Sequence, residues 1–337
     1  MLAALLFALQ QPQLQEQITV ERVIVDARVT DSLGNPITGL KPSDFRVKID
    51  GKPAKVEAAD WIADTEAQRE IDESTADETT PAPAPATHPP PPGRLLVFLY
   101  QTDFARNTAR VTGQMKLLQM NEDWLDWIEP RDRVAVLSFD SHLKFRLDFT
   151  SNKHDIAYAM EQALYIDDPP WPQRVPMPSM ASYLKPDVLL KIASPERALI
   201  EIGNALMNVP GPKSLILFGW GLGRFSREGV TMAPNYWIAR QALEMARISV
   251  FSIDFTEADF HSLAAGLGKV ADDTGGFYAS THLFPHLAAK RLQHTLGGHY
   301  ELEVRKPESK TRGAHMIEVD VARRGAYVMA RLTYVDR

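Results

Sequence analysis

Histidines, paired acids and glycine-rich turns are the residues of this sequence whose types and spacing could support chemistry. Of nine histidines, His282 and His286 are four residues apart, but a proline lies between them and no H-E-x-x-H motif occurs. Glycines at alternate positions in residues 219–223 lack the spacing of a dinucleotide-binding loop. Asp272 and Asp273 adjoin a predicted helix end, which favours a solvated role. We interpret these groups as structural, and the sequence predicts no catalytic centre.

The composition excludes several further classes of chemistry. The chain has 337 residues and no cysteine, so disulfides, thiolate metal sites and cysteine nucleophiles are excluded. Hydrophobic residues make up 45% and charged residues 24%, which is ordinary for a globular protein. With 37 basic and 43 acidic residues, the chain is not a generally basic nucleic-acid binder. We therefore expect no nucleic-acid partner.

The negative charge is concentrated in residues 63–93, whose net charge of −6 equals that of the whole chain. The acidic half runs into a stretch dominated by proline, and large apolar residues are almost missing after Ile71. Such a segment buries too little surface to offset its ordering entropy. We predict a disordered acidic and proline-rich linker at a domain boundary, and a ligand for a proline-recognition domain is the alternative.

The first 17 residues resemble a secretory signal. Residues 1–9 (MLAALLFAL) form an apolar run that is too short to span a bilayer, and a polar stretch follows. The basic start and a clear cleavage site are missing, so a frayed apolar terminus is the alternative. We predict export to the periplasm or the exterior. No window of the sequence reaches 18 apolar residues, so no transmembrane span is expected.

Both ends of the chain alternate between apolar and polar residues. Residues 18–32 (ITVERVIVDARVTDS) have period two, and Asp50-Gly51 is a strong hairpin signal. Residues 298–337 show the same alternation. Because neither end can bury a comfortable core alone, we predict that residues 18–62 and 298–337 build one small β-sandwich.

Residues 94–297 alternate apolar runs with helical patterns, and a proline-rich insert interrupts them at residues 166–193. The pattern predicts one helix over about 105–128, a helix capped by Thr150 or Ser151, and another capped by Ser194. Alternating strands and helices indicate an α/β, Rossmann-like domain with a mostly parallel sheet. In such folds ligands bind at the carboxyl ends of the strands, here residues 100–104, 139–141, 219–224 and 254–257.

Three segments of this domain resemble strands of von Willebrand factor A domains: residues 132–139 (DRVAVLSF), 214–218 and 248–254. The flanking residues 25–51 and 299–302 resemble the von Willebrand A-related family found in Acidobacteria. The resemblance implies an A-type domain inserted into the predicted sandwich, and a function in adhesion.

The resemblance also implies a Mg²⁺ site, from which this sequence departs. A-type domains bind Mg²⁺ through D-x-S-x-S after the first strand, a later threonine and an aspartate after the fourth strand. Here the first strand ends in Tyr100-Gln101-Thr102-Asp103, no aspartate follows Phe218, and the insert replaces the threonine loop. Only Asp103 and Asp140 remain as weak ligands. We predict a degenerate site without a cofactor, and Mg²⁺ binding is the alternative.

These patterns favour a non-enzymatic, exported module that binds a protein partner through the loops at the strand ends. Trp220 would anchor the partner if exposed, although a packed tryptophan is the ordinary alternative. Two alternatives stay open, a metal-dependent adhesion module and an enzyme with an unrecognised site. The predicted partner-binding residues are Gln101, Thr102, Asp103, Asp140, Ser141, Trp220 and Arg224.

Overall fold

The N-terminal part of the chain forms β-strands. The computed structural model describes residues 21–75, 93–102, 107–176, 178–307 and 313–335. The predicted signal segment therefore lies outside the described residues. Val23, Val25, Ala27 and Val29 are buried at alternate positions of the first strand, as its period of two requires. These strands are β1 (Arg22–Thr30), β2 (Phe45–Ile49), β3 (Lys52–Ala54) and β4 (Val56–Ala63).

The acidic segment differs from the sequence prediction, because part of it is a helix, α1 (Glu66–Thr75). Thr65 Oγ1 accepts the Gln68 N–H at 3.1 Å and begins the helix. The Asp72 carboxylate accepts hydrogen bonds from Trp61 Nε1 at 2.7 Å and from Gln68 Nε2 at 2.8 Å. Acidic composition alone predicted disorder, but the tertiary hydrogen bond from Trp61 and the two local hydrogen bonds stabilise a helix in residues 66–75. The rest of the predicted linker, residues 76–92, lies outside the described residues.

Strands and helices alternate through the middle of the chain. The predicted helix over about 105–128 is two consecutive helices that meet at Met120, and Asn152, rather than Thr150 or Ser151, caps the helix that begins at Lys153. Ser194 caps the next long helix as predicted. The elements are β5 (Leu95–Gln101), α2 (Thr108–Gln119), α3 (Asn121–Asp126), β6 (Arg133–Phe139), β7 (Leu143–Thr150), α4 (Lys153–Gln162), α5 (Pro186–Leu189), α6 (Pro195–Leu206), β8 (Lys213–Gly219), β9 (Arg224–Ser226), β10 (Gly229–Thr231), α7 (Tyr236–Met245), β11 (Ile248–Asp254), α8 (Ala264–Thr274), β12 (Tyr278–Ser280) and α9 (Pro285–Thr295).

The middle elements form a six-stranded sheet in the order β12-β11-β8-β5-β6-β7, with β7 antiparallel at the edge. The order and the parallel pairing are those of a Rossmann-like fold. One apolar core packs α6, α7 and α8 on one face, and a second packs α2, α3, α4 and α9 on the other. None of the described helices is long and apolar enough to cross a membrane.

The C-terminal strands complete a β-sandwich with the N-terminal ones, as the alternation predicted. They are β13 (Gly298–Arg305), β14 (Ala314–Val321), β15 (Tyr327–Ala330) and β16 (Thr333–Val335). The two sheets have the orders β15-β1-β13-β4 and β16-β14-β2-β3. Val25, Val47, Tyr300 and Ile317 pack between them. The fold is thus a Rossmann-like α/β unit inserted between the strands of a sandwich, and the predicted domain boundaries stay a prediction.

The proline-rich insert, residues 166–193, packs on the sheet face that carries α6. Its Met180 is fully buried there. Asp148 of β7 anchors it, because the carboxylate accepts the Ser179 hydroxyl at 2.6 Å and the Met180 N–H at 2.8 Å. The insert is therefore an ordered part of the α/β core.

Candidate functional site

Gln101 ends β5 at the carboxyl edge of the sheet, the edge formed by the carboxyl ends of β5, β6, β8 and β11. Its buried side-chain Nε2 donates to the Gly221 carbonyl at 2.8 Å. Its Oε1 accepts the backbone N–H groups of Trp220 at 3.1 Å and Gly221 at 3.2 Å. Both ends of the amide are thus bonded to the loop after β8, so Gln101 positions that loop.

Thr102 and Trp220 also pack into the interior of this edge. The buried Thr102 donates its N–H to the Phe139 carbonyl at 2.8 Å. The Trp220 indole Nε1 donates to the Thr102 carbonyl at 3.4 Å, and the Arg110 guanidinium lies 3.6 Å from the indole ring centre. The partly buried indole packs against the core under α2. The structure therefore gives Trp220 the packed position that was the alternative to an exposed anchor.

Asp140, directly after β6, forms a buried ion pair. Lys144 Nζ lies 2.7 Å from the Asp140 carboxylate, and the two side chains are 3% and 1% exposed. The same ammonium donates to the carbonyls of Ile166 at 2.9 Å and Asp167 at 3.0 Å. Burial alone would raise the pKa of Asp140, but hydrogen bonds from Lys144 and Ser141 outweigh it and lower the pKa. Asp140 therefore joins β6 to the start of the proline-rich insert.

The described residues of this edge do not fit a Mg²⁺ site. The Asp140 carboxylate faces an ammonium at 2.7 Å, and a cation would have to displace it. The Gln101 amide is bonded at both ends. Mg²⁺ requires several oxygen ligands that are free to face it, and the described chain contains no cluster of three or more histidine or acidic side chains arranged for a metal. Asp103, the other predicted ligand, lies outside the described residues.

Ser141 and Arg224 are the predicted residues with exposed side chains. Ser141 lies in the turn between β6 and β7, and its hydroxyl donates to Asp140 at 3.0 Å. Arg224 begins the β9–β10 hairpin, a separate two-stranded sheet. The structure thus brings Gln101, Thr102 and Trp220 together by direct hydrogen bonds and places Arg224 on a projecting element.

Asp254 is a buried residue of this edge that the sequence analysis included only within a loop range. Its carboxylate accepts the Thr256 N–H at 2.9 Å and the Tyr278 hydroxyl at 2.8 Å, and it contacts His261 Nε2 at 2.5 Å. Burial, then the charge of Asp254, raises the pKa of Tyr278. With these partners the carboxylate fixes the loops after β11 and β12. An aspartate at the end of a buried strand was the only sequence signal for it.

Glu257 connects these loops to α2. Its carboxylate lies 2.6 Å from Lys116 Nζ and 3.1 Å from His282 Nδ1. His282 Nε2 in turn lies 3.5 Å from Asp259. The loop after β11 and the loop before α9 are therefore held against each other by the contacts of His282 with Glu257 and Asp259.

The exposed apolar side chains of these two loops and of the first turn of α9 are together called the apolar patch. Their exposed fractions are 82% at Phe260, 65% at Leu283, 59% at Phe284 and 52% at Leu287. A cleft of about 370 Å³ lies among Leu283, Phe284 and Leu287, with Arg291 at its wall. Phe260, Leu263 and Leu267 have the sequence spacing of one face of a helix, but α8 begins only at Ala264. Phe260 therefore lies outside the helix, and the helical periodicity of the sequence did not predict that it is part of an exposed apolar patch.

The comparisons with known proteins show no close relative of this chain. No protein-family model matches the sequence, and no curated protein matches it.

Several solved structures are similar in fold at low identity. A von Willebrand factor type A protein from Catenulispora acidiphila is 9% identical, with 95% of this chain and 75% of that chain covered and a TM-score of 0.43. The vWF domain of the type V pili tip protein Mfa5 from Porphyromonas gingivalis is 12% identical, with 60% and 95% covered and a TM-score of 0.38. The PilB minor pilin from Streptococcus sanguinis is 12% identical with a TM-score of 0.35, and 60% of this chain is covered. This chain spans 62% of that pilin's length.

Proposed function

We propose that this chain is a non-enzymatic, exported protein-interaction module that binds a protein partner at the carboxyl edge of its sheet without a metal ion. The observation that carries the proposal is the apolar patch of Phe260, Leu283, Phe284 and Leu287. Large apolar side chains grouped on a surface are typical of interaction sites. Aromatic groups are also the commonest anchors of protein interfaces.

The loops under the patch are held in place before any partner binds. Glu257 bridges Lys116 and His282, and Asp254 fixes the ends of β11 and β12. A rigid surface loses little conformational entropy on association, which favours affinity. Asp259 and Arg291 flank the patch and supply a polar rim that would help to select the partner. Ser141 and Arg224 are exposed and stay candidates for further contacts.

Gln101, Thr102 and Asp140 have a positioning role in this proposal. The side chains of Gln101 and Asp140 and the backbone N–H of Thr102 form hydrogen bonds within the protein. Together these bonds hold the loops after β5, β6 and β8. The same proposal includes the degenerate metal site, because Lys144 supplies beside Asp140 the positive charge that a metal ion would otherwise supply. The proposed kinship with the von Willebrand A-related family of Acidobacteria rests on the sequence motifs.

We expect removal of the two aromatic rings of the patch to weaken partner binding. The double variant Phe260→Ser/Phe284→Ser removes the two exposed rings and leaves the core unchanged. A partner recovered from membrane and periplasmic fractions with the wild type should bind this variant at least about tenfold more weakly, equivalent to about 1.4 kcal/mol. Binding is measured by biolayer interferometry with the purified partner.

The matched control for this experiment is Leu33→Ser, which removes an apolar side chain that is 70% exposed on the sandwich. It should retain wild-type affinity. If the double variant and the control bind equally well, the patch is not the binding surface.

Millimolar Mg²⁺ or Mn²⁺ is expected to leave the melting temperature of the protein unchanged, because Lys144 already neutralises Asp140. A bound ion would raise the melting temperature by mass action. Differential scanning fluorimetry of the wild type with and without EDTA checks this. A rise with metal that is lost in Asp103→Asn would instead support the metal-dependent adhesion alternative.

A further inference from the structure

A second cavity lies at the opposite, amino edge of the sheet, between the sandwich and the α/β unit. Its volume is about 790 Å³, which is within the range of small-ligand sites. The sandwich contributes Arg28 of β1 and His299 of β13. The α/β unit contributes Arg94 and Leu95 at the start of β5 and Arg133 at the start of β6. This cavity is remote from the carboxyl edge, so it is independent of the proposed interaction surface.

Arg28 is a buried cation in the wall of this cavity. It is 4% exposed, and its guanidinium donates to the Ser249 hydroxyl at 3.2 Å and lies 5.5 Å from the Phe251 ring centre. Among the residues that the structure describes, its Nε has no hydrogen-bond partner. Burial lowers the pKa of Arg28, although Asp64 and Asp26 attract its charge. Arginine nevertheless remains protonated in proteins, so the wall contains a positive charge, and its enclosed Nε–H has no acceptor among the described residues.

The acids nearest to Arg28 are already engaged with other cations or donors. Asp26 accepts hydrogen bonds from Arg247, with Nε at 2.9 Å. Asp64 lies 2.8 Å from His299 Nδ1. A buried charge is costly unless a counter-charge and hydrogen bonds compensate it. The Arg28 guanidinium is therefore suited to bind an anion that enters the cavity.

His299 provides a second polar group in the same wall. The side chain is 1% exposed, and its Nε2 has no hydrogen-bond partner among the described residues but lies 3.8 Å from Asp26 Oδ1. Because Nδ1 faces the Asp64 carboxylate, Nε2 is an acceptor in the neutral ring and a donor in the protonated ring. His299 therefore adds a polar group to the wall beside Arg28, with Asp64 at one ring nitrogen and Asp26 near the other.

Most of the cavity wall is apolar, which limits what the anion can be. Ile62, Leu95, Pro130, Val209 and Leu296 line it. Sites for small molecules combine such walls with a few polar groups that fix orientation. The Asp64 carboxylate also lines the cavity and would repel the second charge of a phosphate dianion.

We propose that this cavity binds a small amphipathic carboxylate, with the Arg28 guanidinium holding the carboxylate and the apolar walls covering the hydrocarbon chain. The planar fork of arginine matches a carboxylate through two parallel hydrogen bonds. Arg131 and Arg133 are exposed and line the same cavity, where they attract the anion toward the site.

Octanoate is the probe, and isothermal titration calorimetry of the full chain is the measurement. The wild type should bind octanoate at least tenfold more tightly than 1-octanol, and inorganic phosphate should not compete. Arg28→Met, which keeps the volume and removes the charge, should weaken octanoate binding at least tenfold. Arg324→Met in an exposed turn is the control and should bind as the wild type does.

Four results would overturn the proposal. Three of them are no octanoate binding at millimolar concentration, equal affinity for 1-octanol, and unchanged affinity in Arg28→Met. Competition by phosphate at equal concentration would identify a different anion site and overturn the carboxylate assignment. If Arg28→Met does not fold, Arg28→Lys keeps the charge without the fork and should still lose affinity relative to the wild type.

Discussion

The Asp132→Ala variant should lose about 3–5 kcal/mol of unfolding free energy, because it leaves the Arg94 guanidinium buried without its counter-charge. Arg94 and Asp132 are 7% and 1% exposed and pair through two guanidinium nitrogens, Nε at 3.0 Å and Nη2 at 2.5 Å. The same carboxylate accepts the backbone N–H of Glu129 at 2.8 Å. Urea unfolding of the full chain, followed by circular dichroism, measures the loss.

Two further variants separate the charge from the other roles of Asp132. Asp132→Asn keeps the volume and an acceptor but not the charge, so it should lose less than Asp132→Ala. Glu318→Ala removes one partner of the exposed pair with Lys48 and should change stability by less than about 0.5 kcal/mol. A loss of unfolding free energy below about 1 kcal/mol in Asp132→Ala is the size of one neutral hydrogen bond. Such a result would contradict the proposed contribution of this ion pair to stability.

The Lys144→Met variant should also lose about 3–5 kcal/mol at pH 7, because the Asp140 carboxylate then stays buried without a cation. The carbonyls of Ile166 and Asp167 lose their donor at the same time. The double variant Lys144→Met/Asp140→Asn removes both charges and should recover part of the loss, which a double-mutant cycle quantifies.

The pH dependence of this loss has a defined sign. The pKa of Asp140 is lowered in the folded wild type, so its contribution to stability is present above the unfolded pKa of about 3.9 and is lost as the pH falls through the folded pKa. Without Lys144 the folded pKa rises. The difference in unfolding free energy between wild type and Lys144→Met should therefore be largest near pH 7 and shrink toward pH 3. A difference that is constant across this range would show that the ion pair is not its source.

The regular elements were predictable from local patterns. The apolar run of β6 suits a strand that is buried on both faces of a sheet, and the alternation of β1 suits a strand that is buried mainly on one face. Neither pattern depends on the rest of the chain. Ser194 and Pro195 began α6 as predicted, because a cap is a contact within one turn of helix. The alternating order of strands and helices was then sufficient to predict a Rossmann-like sheet and the loops at its carboxyl edge.

The candidate site was less predictable, because exposure and pairing depend on residues that are distant in sequence. Phe260 has the spacing of a buried helical residue, yet the loop held by Asp254 and Glu257 places it in solvent. Trp220 has the position of an exposed anchor, yet it is packed beneath Arg110. Residues 66–75 are acidic, yet Trp61 and Glu129 bind them to the fold.

The sequence by itself determined most of the strands, the α/β class, the sandwich formed from both ends and the departure from the D-x-S-x-S metal motif. These follow from periodicity, caps and residue identity, which act over a few neighbouring residues. Only the tertiary structure decided that Lys144 neutralises Asp140, that the apolar patch lies at the carboxyl edge, and that Arg28 faces a cavity at the amino edge. Each of these depends on the charge and burial that distant segments create when they pack, and no local pattern encodes them.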